Sequence, residues 1–235
     1  MPFQLFSTPG WFSGWDVLFE LISLIVALLI AAYSYKLYRF NQESRYAYFA
    51  FAFILVALGL GFKIVTNIVV YYTPVRDVAA DVFRPLAGPR LRFSWIFYRG
   101  GYFLQMVPLL GAWLLLYFIS QKPRQRLKKY DEVTQIALFV YLVLLISVVA
   151  NLKYVVFHLT SMVLLGLIVL NYYKNYLNTT NANTLKVMYS FLFILVANLF
   201  FVFVFLAKNL YVVGEIFQLI GFLGLLVTYS STTSK

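Results

Sequence analysis

Long apolar stretches, separated by short polar breaks, run along nearly the whole 235-residue chain: 16–38, 47–71, 96–119, 133–150, 153–173, 185–207 and 210–230. About 20 consecutive apolar residues make a helix long enough to cross the hydrocarbon core of a bilayer. Inside lipid a helix also satisfies its own backbone donors and acceptors. The pattern therefore predicts an all-α, polytopic membrane protein with seven transmembrane helices, spans 1 to 7. No stretch between them is long enough for a soluble domain.

Lys and Arg near the span ends set the direction. None precedes span 1, whereas Lys36 and Arg39 follow it. With the N-terminus outside, the inner segments hold Lys36, Arg39, Arg45, Lys122, Arg124, Arg126, Lys128, Lys129, Lys174, Lys186 and Lys235, and the outer ones hold Arg76, Arg84, Arg90, Arg92, Arg99, Lys153 and Lys208. The inner majority predicts N-out, C-in, in a plasma or cytoplasmic membrane. Residues 1–15 lack the charged start of a signal peptide. Their aromatic side chains Phe3, Phe6, Trp11, Phe12 and Trp15 suit an interfacial anchor.

A repeat is visible within the chain. The run Phe51-Ala-Phe-Ile-Leu-Val-Ala57 recurs 140 residues on as Phe191-Leu-Phe-Ile-Leu-Val-Ala197. Tyr35-Lys36 recurs as Tyr173-Lys174, 138 on, and Gln105 and Gly111 recur 113 on as Gln218 and Gly224. These matches predict two parallel three-helix repeats, spans 1–3 (16–119) and 5–7 (153–230), joined by a basic inner loop and linker helix (120–150). Three helices reverse the side of the membrane and a fourth reverses it again, so the copies point the same way.

Composition fits this reading: 63% of residues are hydrophobic, only 11% are charged, and the mean hydropathy is +0.83. Soluble domains carry roughly 25% charge. The absence of cysteine removes disulfides, thiolate ligands and cysteine nucleophiles. The net charge of +11 comes from the loops, and with no soluble module to present it, it does not point to nucleic acid.

The 3+1+3 arrangement resembles that of SWEET-type sugar transporters, and the seven-helix, N-out topology resembles opsin-like proteins and G-protein-coupled receptors. The motifs differ. Pro108 is the only proline well inside a span, where SWEET-type carriers have prolines in matching helices of each repeat. Lys208 precedes span 7, where rhodopsins hold retinal on a lysine within it. Asp-Arg-Tyr and Asn-Pro-x-x-Tyr are absent. The stretch 20–62, with its Tyr-Ser-Tyr-Lys-Leu-Tyr-Arg end to span 1 and its Phe-rich span 2, is similar to uncharacterised prokaryotic, especially archaeal, seven-helix membrane proteins of sensor-like type. That resemblance implies a sensor-like membrane domain and no particular chemistry.

Ionisable residues within spans are costly, and each is a candidate functional residue. Glu20, Lys63, Arg99, His158 and Glu215 all fall within about 5–12 Å of the outer ends of their spans, at 1.5 Å per residue. Asn67 lies near them, and Gln105, Asn198 and Gln218 lie deeper. These nine residues predict an outward-facing polar pocket in which Glu20 and Glu215 pair with Lys63, His158 or Arg99. The competing readings are snorkelling of Glu20, Glu215 and Lys63 to the surface, a helix–helix hydrogen bond for His158, and a headgroup contact for Arg99. One histidine and no nucleophile motif argue against an enzyme, and nothing calls for a metal or cofactor.

Two basic loops complete the picture. In loop 72–95, Arg84, Arg90 and Arg92 suit a phosphate or lipid headgroup, and DVAADVF is a short helical candidate for a lid. Lys122, Arg124, Arg126, Lys128 and Lys129 form an inner patch for anionic lipid or an acidic cytoplasmic partner. The tract 178–184 reads as a polar inner loop. The functional expectation is a membrane binding protein of receptor or sensor type that takes a small polar ligand or lipid headgroup and signals through a separate cytoplasmic partner. The alternatives are a small-solute transporter built from the two repeats and a structural or accessory membrane subunit.

Overall fold

The computed structural model describes residues 8–12, 14–72, 78, 93–121, 140–141 and 154–233. The described residues form six long α-helices: α1 (Trp15–Asn41), α2 (Ser44–Tyr71), α3 (Phe93–Ser120), α4 (Tyr154–Thr179), α5 (Ala182–Val202) and α6 (Asn209–Thr233). A 3-10 turn, Phe203–Phe205, extends α5. All six are long and apolar enough to cross a membrane, and the chain is an integral, multi-pass membrane protein. They correspond to spans 1–3 and 5–7. Span 4, the basic run 122–129 and the arginine-rich loop with Arg84, Arg90 and Arg92 lie outside the described residues, save for Val78, Val140 and Tyr141.

Local sequence sets the helix ends. Asp16 closes the first turn of α1, where its Oδ1 accepts the N–H groups of Gly14 and Val17 at 2.9 Å each. Gly14 takes a φ of 98°, a left-handed backbone that suits glycine. The tract 178–184 is not an open loop. Helix α4 runs through Thr179 and α5 restarts at Ala182, because the Asn181 side chain accepts the N–H of Asn183 at 2.9 Å and caps α5. Turning back takes only two residues, Thr180 and Asn181.

The helices close into a ring in chain order. Helix α1 packs on α2, α2 on α3, α3 on α4, α4 on α5, α5 on α6, and α6 returns to α1. Most neighbours are antiparallel, but α3 and α4 run parallel. At one end the Tyr102 ring meets Tyr154 and Phe157; at the other, Asn171 Nδ2 donates to Ser120 Oγ at 2.9 Å. Helix α6 likewise runs beside α1 with both N-termini at the same end, where Trp11 Nε1 donates to Asn209 Oδ1.

Each half of the ring repeats the burial pattern of the other. Asn41 and Thr179 end α1 and α4, 138 residues apart; Ser44 and Ala182 start α2 and α5, also 138 apart. Gln42 and Thr180, the first residues of the two turns, both take positive φ. At this spacing Ala27 and Ile30 match Leu165 and Ile168, and Phe53 and Val56 match Phe191 and Ile194, all fully buried. In α3 and α6 the matching separation is 109 residues, which pairs Tyr102 with Tyr211, Trp113 with Phe222 and Leu116 with Leu225. The spacing of 138 is that of Tyr35-Lys36 and Tyr173-Lys174, and differs from the 140 of the Phe-rich runs. The similar runs 51–57 and 191–197 are two residues out of step, about 200° around a helix, so that Phe51 is 53% exposed while Phe191 is 0% exposed. Gln105 and Gln218 are out of step by four residues, one helical turn.

Packing inside the ring depends on close approach. Lipid is as apolar as leucine, so helix association rests on van der Waals fit, small residues and polar bonds. Gly59 sits against Leu109 and Gln105, Gly101 against Thr66, Gly214 against Phe201, and Gly221 against Ile194 and Ser190. Large apolar side chains such as Leu21, Ile25, Leu28 and Leu58 face outward, where lipid replaces water. Phe12 departs from the predicted interfacial belt. Trp11 and Trp15 are exposed, but Phe12 is buried and packs with Phe201, Val204 and Tyr211, because the turn from Pro9 to Phe12 folds the chain over the end of the ring.

Candidate functional site

Every buried ionisable side chain among the described residues lies at one end of the ring. Glu20 is five residues into α1, His158 four into α4 and Glu215 six into α6; Lys63 is eight residues from the end of α2. At 1.5 Å per residue they sit about 6–12 Å from the helix ends. The loops and the antiparallel packing bring the N-termini of α1, α4 and α6 and the C-termini of α2 and α5 to the same end.

Lys63 is the hub. Its Nζ lies 2.8 Å from Glu20 Oε1 and 2.7 Å from Glu215 Oε1. Glu20 is 0% exposed, Glu215 1% and Lys63 6%, which rules out snorkelling for all three. Asn67 Nδ2 donates to both oxygens of Glu20 at 3.2 Å, and Tyr211 OH donates to its Oε1 at 3.4 Å. The Lys63 ammonium also lies 5.3 Å from the centre of the Tyr211 ring and 5.9 Å from that of Phe201, cation–π contacts that gain strength away from water. A buried charge this far from solvent persists only when it is paired and hydrogen-bonded. The centre thus ties α1 and α2 to α6, across the two halves of the ring.

His158 belongs to a second bond across helices. Its Nδ1 is 2.9 Å from Asn198 Oδ1, and Asn198 Nδ2 donates to the carbonyl of Ile194 at 2.9 Å. The amide is thereby oriented with its oxygen toward the ring, an arrangement that suits a proton on Nδ1. Tyr154, Phe157 and Phe201 pack around the imidazole at 4.3, 4.8 and 5.0 Å between ring centres.

A cavity of about 30 Å³ lies between Lys63 and His158. Leu60, Lys63, Gln105, Leu109 and Trp113 line it from α2 and α3; Tyr154, Phe157, His158, Asn198, Phe201, Tyr211 and Gln218 line it from α4, α5 and α6. Such a space has room for about two water molecules, far below the roughly 300 Å³ or more of a drug-sized pocket. Among the described residues, Gln105 Oε1 and Asn67 Oδ1 are buried without a hydrogen-bond partner, as are Tyr102 OH and Ser161 Oγ. Below the cavity the ring is filled by Phe53, Val56, Trp113, Phe191, Ile194 and Phe222, a packed apolar layer.

Of the nine residues expected in the pocket, the structure joins Glu20, Lys63, Asn67 and Glu215 in one network and sets His158 and Asn198 in another. Gln105 and Gln218 flank the cavity. Arg99 lies on α3, and its side chain is outside the described residues. Sequence reasoning missed Tyr211, Tyr154 and Asp16, yet the signal is simple: each stands four residues before an ionisable residue (Glu215, His158 and Glu20), and i, i+4 positions share a helix face. Among the described residues no group of three or more His, Cys, Asp or Glu is placed to hold a metal. Comparison with protein-family models, curated proteins and solved structures gave no match.

Proposed function

We propose that the chain is a seven-crossing membrane protein of receptor or sensor type, N-out and C-in, whose buried ionic centre and adjoining cavity form an outward-facing site for a small polar guest. The observation that carries this is the confinement of every described buried ionisable side chain to one end of the ring, above an apolar plug. A polar site at one end of the ring, with an apolar layer beneath it, suits reading a ligand more than passing one through. In this closed form the cavity fits a guest of water size, and a larger ligand or lipid headgroup enters only as the helices part. The signal passes to a separate cytoplasmic partner, for which the basic segment 122–129 is the docking surface.

The seventh crossing is supported by the parallel run of α3 and α4. A chain that leaves α3 at Ser120 and starts α4 at Tyr154 must pass from one end of the ring to the other, and span 4 at 133–150 has the length for it. The matched burial of α1–α3 and α4–α6 supports two parallel three-helix repeats around that linker. Single cysteines test both, since the chain has none of its own. Cysteines at Gln42, Gln121 and Asn181 are expected to react with a membrane-impermeant maleimide from one side, and those at Gly10, Tyr72 and Ala207 from the other. Opposite-side labelling of Gln121 and Asn181 would refute the parallel arrangement.

A transporter is the second reading, and one observation favours it: the cavity is lined from both halves, where carriers built from repeats hold their substrates. Native mass spectrometry of gently purified protein tests the site. The expected result is a retained small molecule or lipid whose occupancy drops at least tenfold, about 1.4 kcal/mol, in Gln105→Leu/His158→Phe. Equal retention by both proteins would place the guest elsewhere and defeat the reading. Solute flux in proteoliposomes decides between transport and sensing.

A further inference from the structure

The ionic centre is unbalanced. Glu20 and Glu215 face one ammonium, that of Lys63, within 2.8 and 2.7 Å. The groups around them come from all six helices. Helix α1 adds Asp16, already bonded to the N–H groups of Gly14 and Val17 and to the hydroxyl of Thr8. Helix α2 adds the neutral Asn67, α3 Gln105, α4 Tyr154 and His158, α5 Asn198 and Phe201, and α6 Tyr211. Among these described groups only His158, bonded to Asn198 through Nδ1 and packed among the rings of Tyr154, Phe157 and Phe201, has a basic nitrogen; the side chain of Arg99, on α3, lies outside the described residues. With both carboxylates ionised and His158 neutral, the described residues of the centre carry one uncompensated negative charge in an apolar setting, where such a charge is expensive. The two carboxylates are also unequally served. Glu20 accepts from Lys63, Asn67 and Tyr211, while Glu215 accepts from Lys63 alone among the described residues.

A second observation points the same way: the site is short of hydrogens. Asn67 is 1% exposed and Gln105 6%, and among the described residues the carbonyl oxygens of both side chains have no donor. A metal cation would also restore charge balance, but the adjoining cavity is lined by the Lys63 ammonium, which repels one. A proton needs no cavity and turns one carboxylate into a donor.

We propose that the Glu20–Lys63–Glu215 centre binds one exchangeable proton taken from the aqueous phase on its own side of the membrane. The step is a simple one. One carboxylate takes up a proton and becomes a carboxylic acid, Lys63 remains an ammonium, and the centre passes from a net charge of minus one to zero. Whichever of the two carboxyl groups takes the proton, its bond to Lys63 becomes one between a cation and a neutral oxygen, which loosens the centre that ties α1 and α2 to α6. The proposal rests on reading this centre as the functional site and makes the proton one of its ligands.

Infrared difference spectroscopy on ligand-free protein in lipid nanodiscs, titrated from alkaline to acid pH, tests it without any guest. The expected result is one protonated-carboxyl carbonyl band per molecule that grows as the pH falls and shifts in heavy water. Either Glu215→Gln or Glu20→Gln leaves one carboxylate with one ammonium, so both variants lose the band, whereas Asp16→Asn keeps it. Three results would overturn the proposal: no band in the wild-type protein, a band that survives in both glutamine variants, or a band abolished by sodium at fixed pH, which would make the site one for a metal cation. Because the wild-type spectrum alone can give the first of these, poor folding of a variant does not shield the idea. A titrating band with no retained guest in the mass spectrum would leave the proton site standing and the ligand reading overturned.

Discussion

Lys63→Met is expected to cost about 3–5 kcal/mol of stability, the range for stripping one partner from a buried ion pair. Methionine matches the length of the lysine stem, so the loss is mainly one of charge. It leaves two carboxylates, 0% and 1% exposed, that had lain within 2.8 Å of the same ammonium. They now repel each other with, among the described residues, only Asn67 and Tyr211 to donate to them. The contacts of the ammonium with the Tyr211 and Phe201 rings go too. The triple variant Lys63→Met/Glu20→Gln/Glu215→Gln removes the stranded charges along with their partner, and most of the loss should return, since replacing a whole buried ionic cluster by neutral groups of similar shape is often close to neutral. Unfolding in a single detergent, followed by circular dichroism with both variants beside the wild type, measures this. A triple variant no more stable than Lys63→Met would show that the charges are not what the centre balances.

Gly221→Ala should destabilise the α5–α6 pair by about 1–3 kcal/mol, the usual cost of overpacking. The added carbon would lie 2.5 Å from Ile194 Cγ1, 2.8 Å from the Ser190 carbonyl oxygen and 3.2 Å from the Ile194 nitrogen. Two of those atoms are backbone and cannot rotate away, so the helices must move apart along the contact. Against this, alanine in place of glycine gains about 1 kcal/mol of helix propensity, too little to offset the overlap. Gly166→Ala is the matched control. Its new carbon would meet only Leu195 Cδ1 at 3.7 Å, an ordinary contact, so the propensity gain should survive and the melting temperature hold or rise. If both variants behave alike, close helix approach is not what holds this ring together.

The polar site is partly legible in the amino-acid sequence. The helical rise converts position within a span into depth, which places Glu20, Lys63, His158 and Glu215 at one level. Their grouping follows from the cost of burying single charges in lipid. Tyr211, Tyr154 and Asp16 are within reach of the same periodicity, one turn outward of each ionisable residue. What periodicity cannot supply is azimuth relative to a neighbour. Whether Lys63 reaches Glu20, Glu215 or His158 depends on which helices adjoin α2 and at what rotation, and the answer, both glutamates at once, comes only from the closed ring.

The repeat shows the same division. Identity of residues marks the similarity between spans 2 and 6, but pairing Phe51 with Phe191 joins a lipid-facing side chain to a buried one. Identities offered both 140 and, from Tyr35-Lys36 and Tyr173-Lys174, 138; burial, a property of packing, selects 138. The sequence by itself determined the all-α class, the six described helices to within a few residues at most ends, and the common depth of the ionisable residues, because lipid demands long apolar helices and the helix has a fixed rise. Only the tertiary structure decided the order of the ring, the parallel run of α3 beside α4, the two-to-one charge balance at Lys63 and the size of the cavity, because each depends on contacts between helices distant in the chain, where a rotation of half a turn exchanges a partner for lipid.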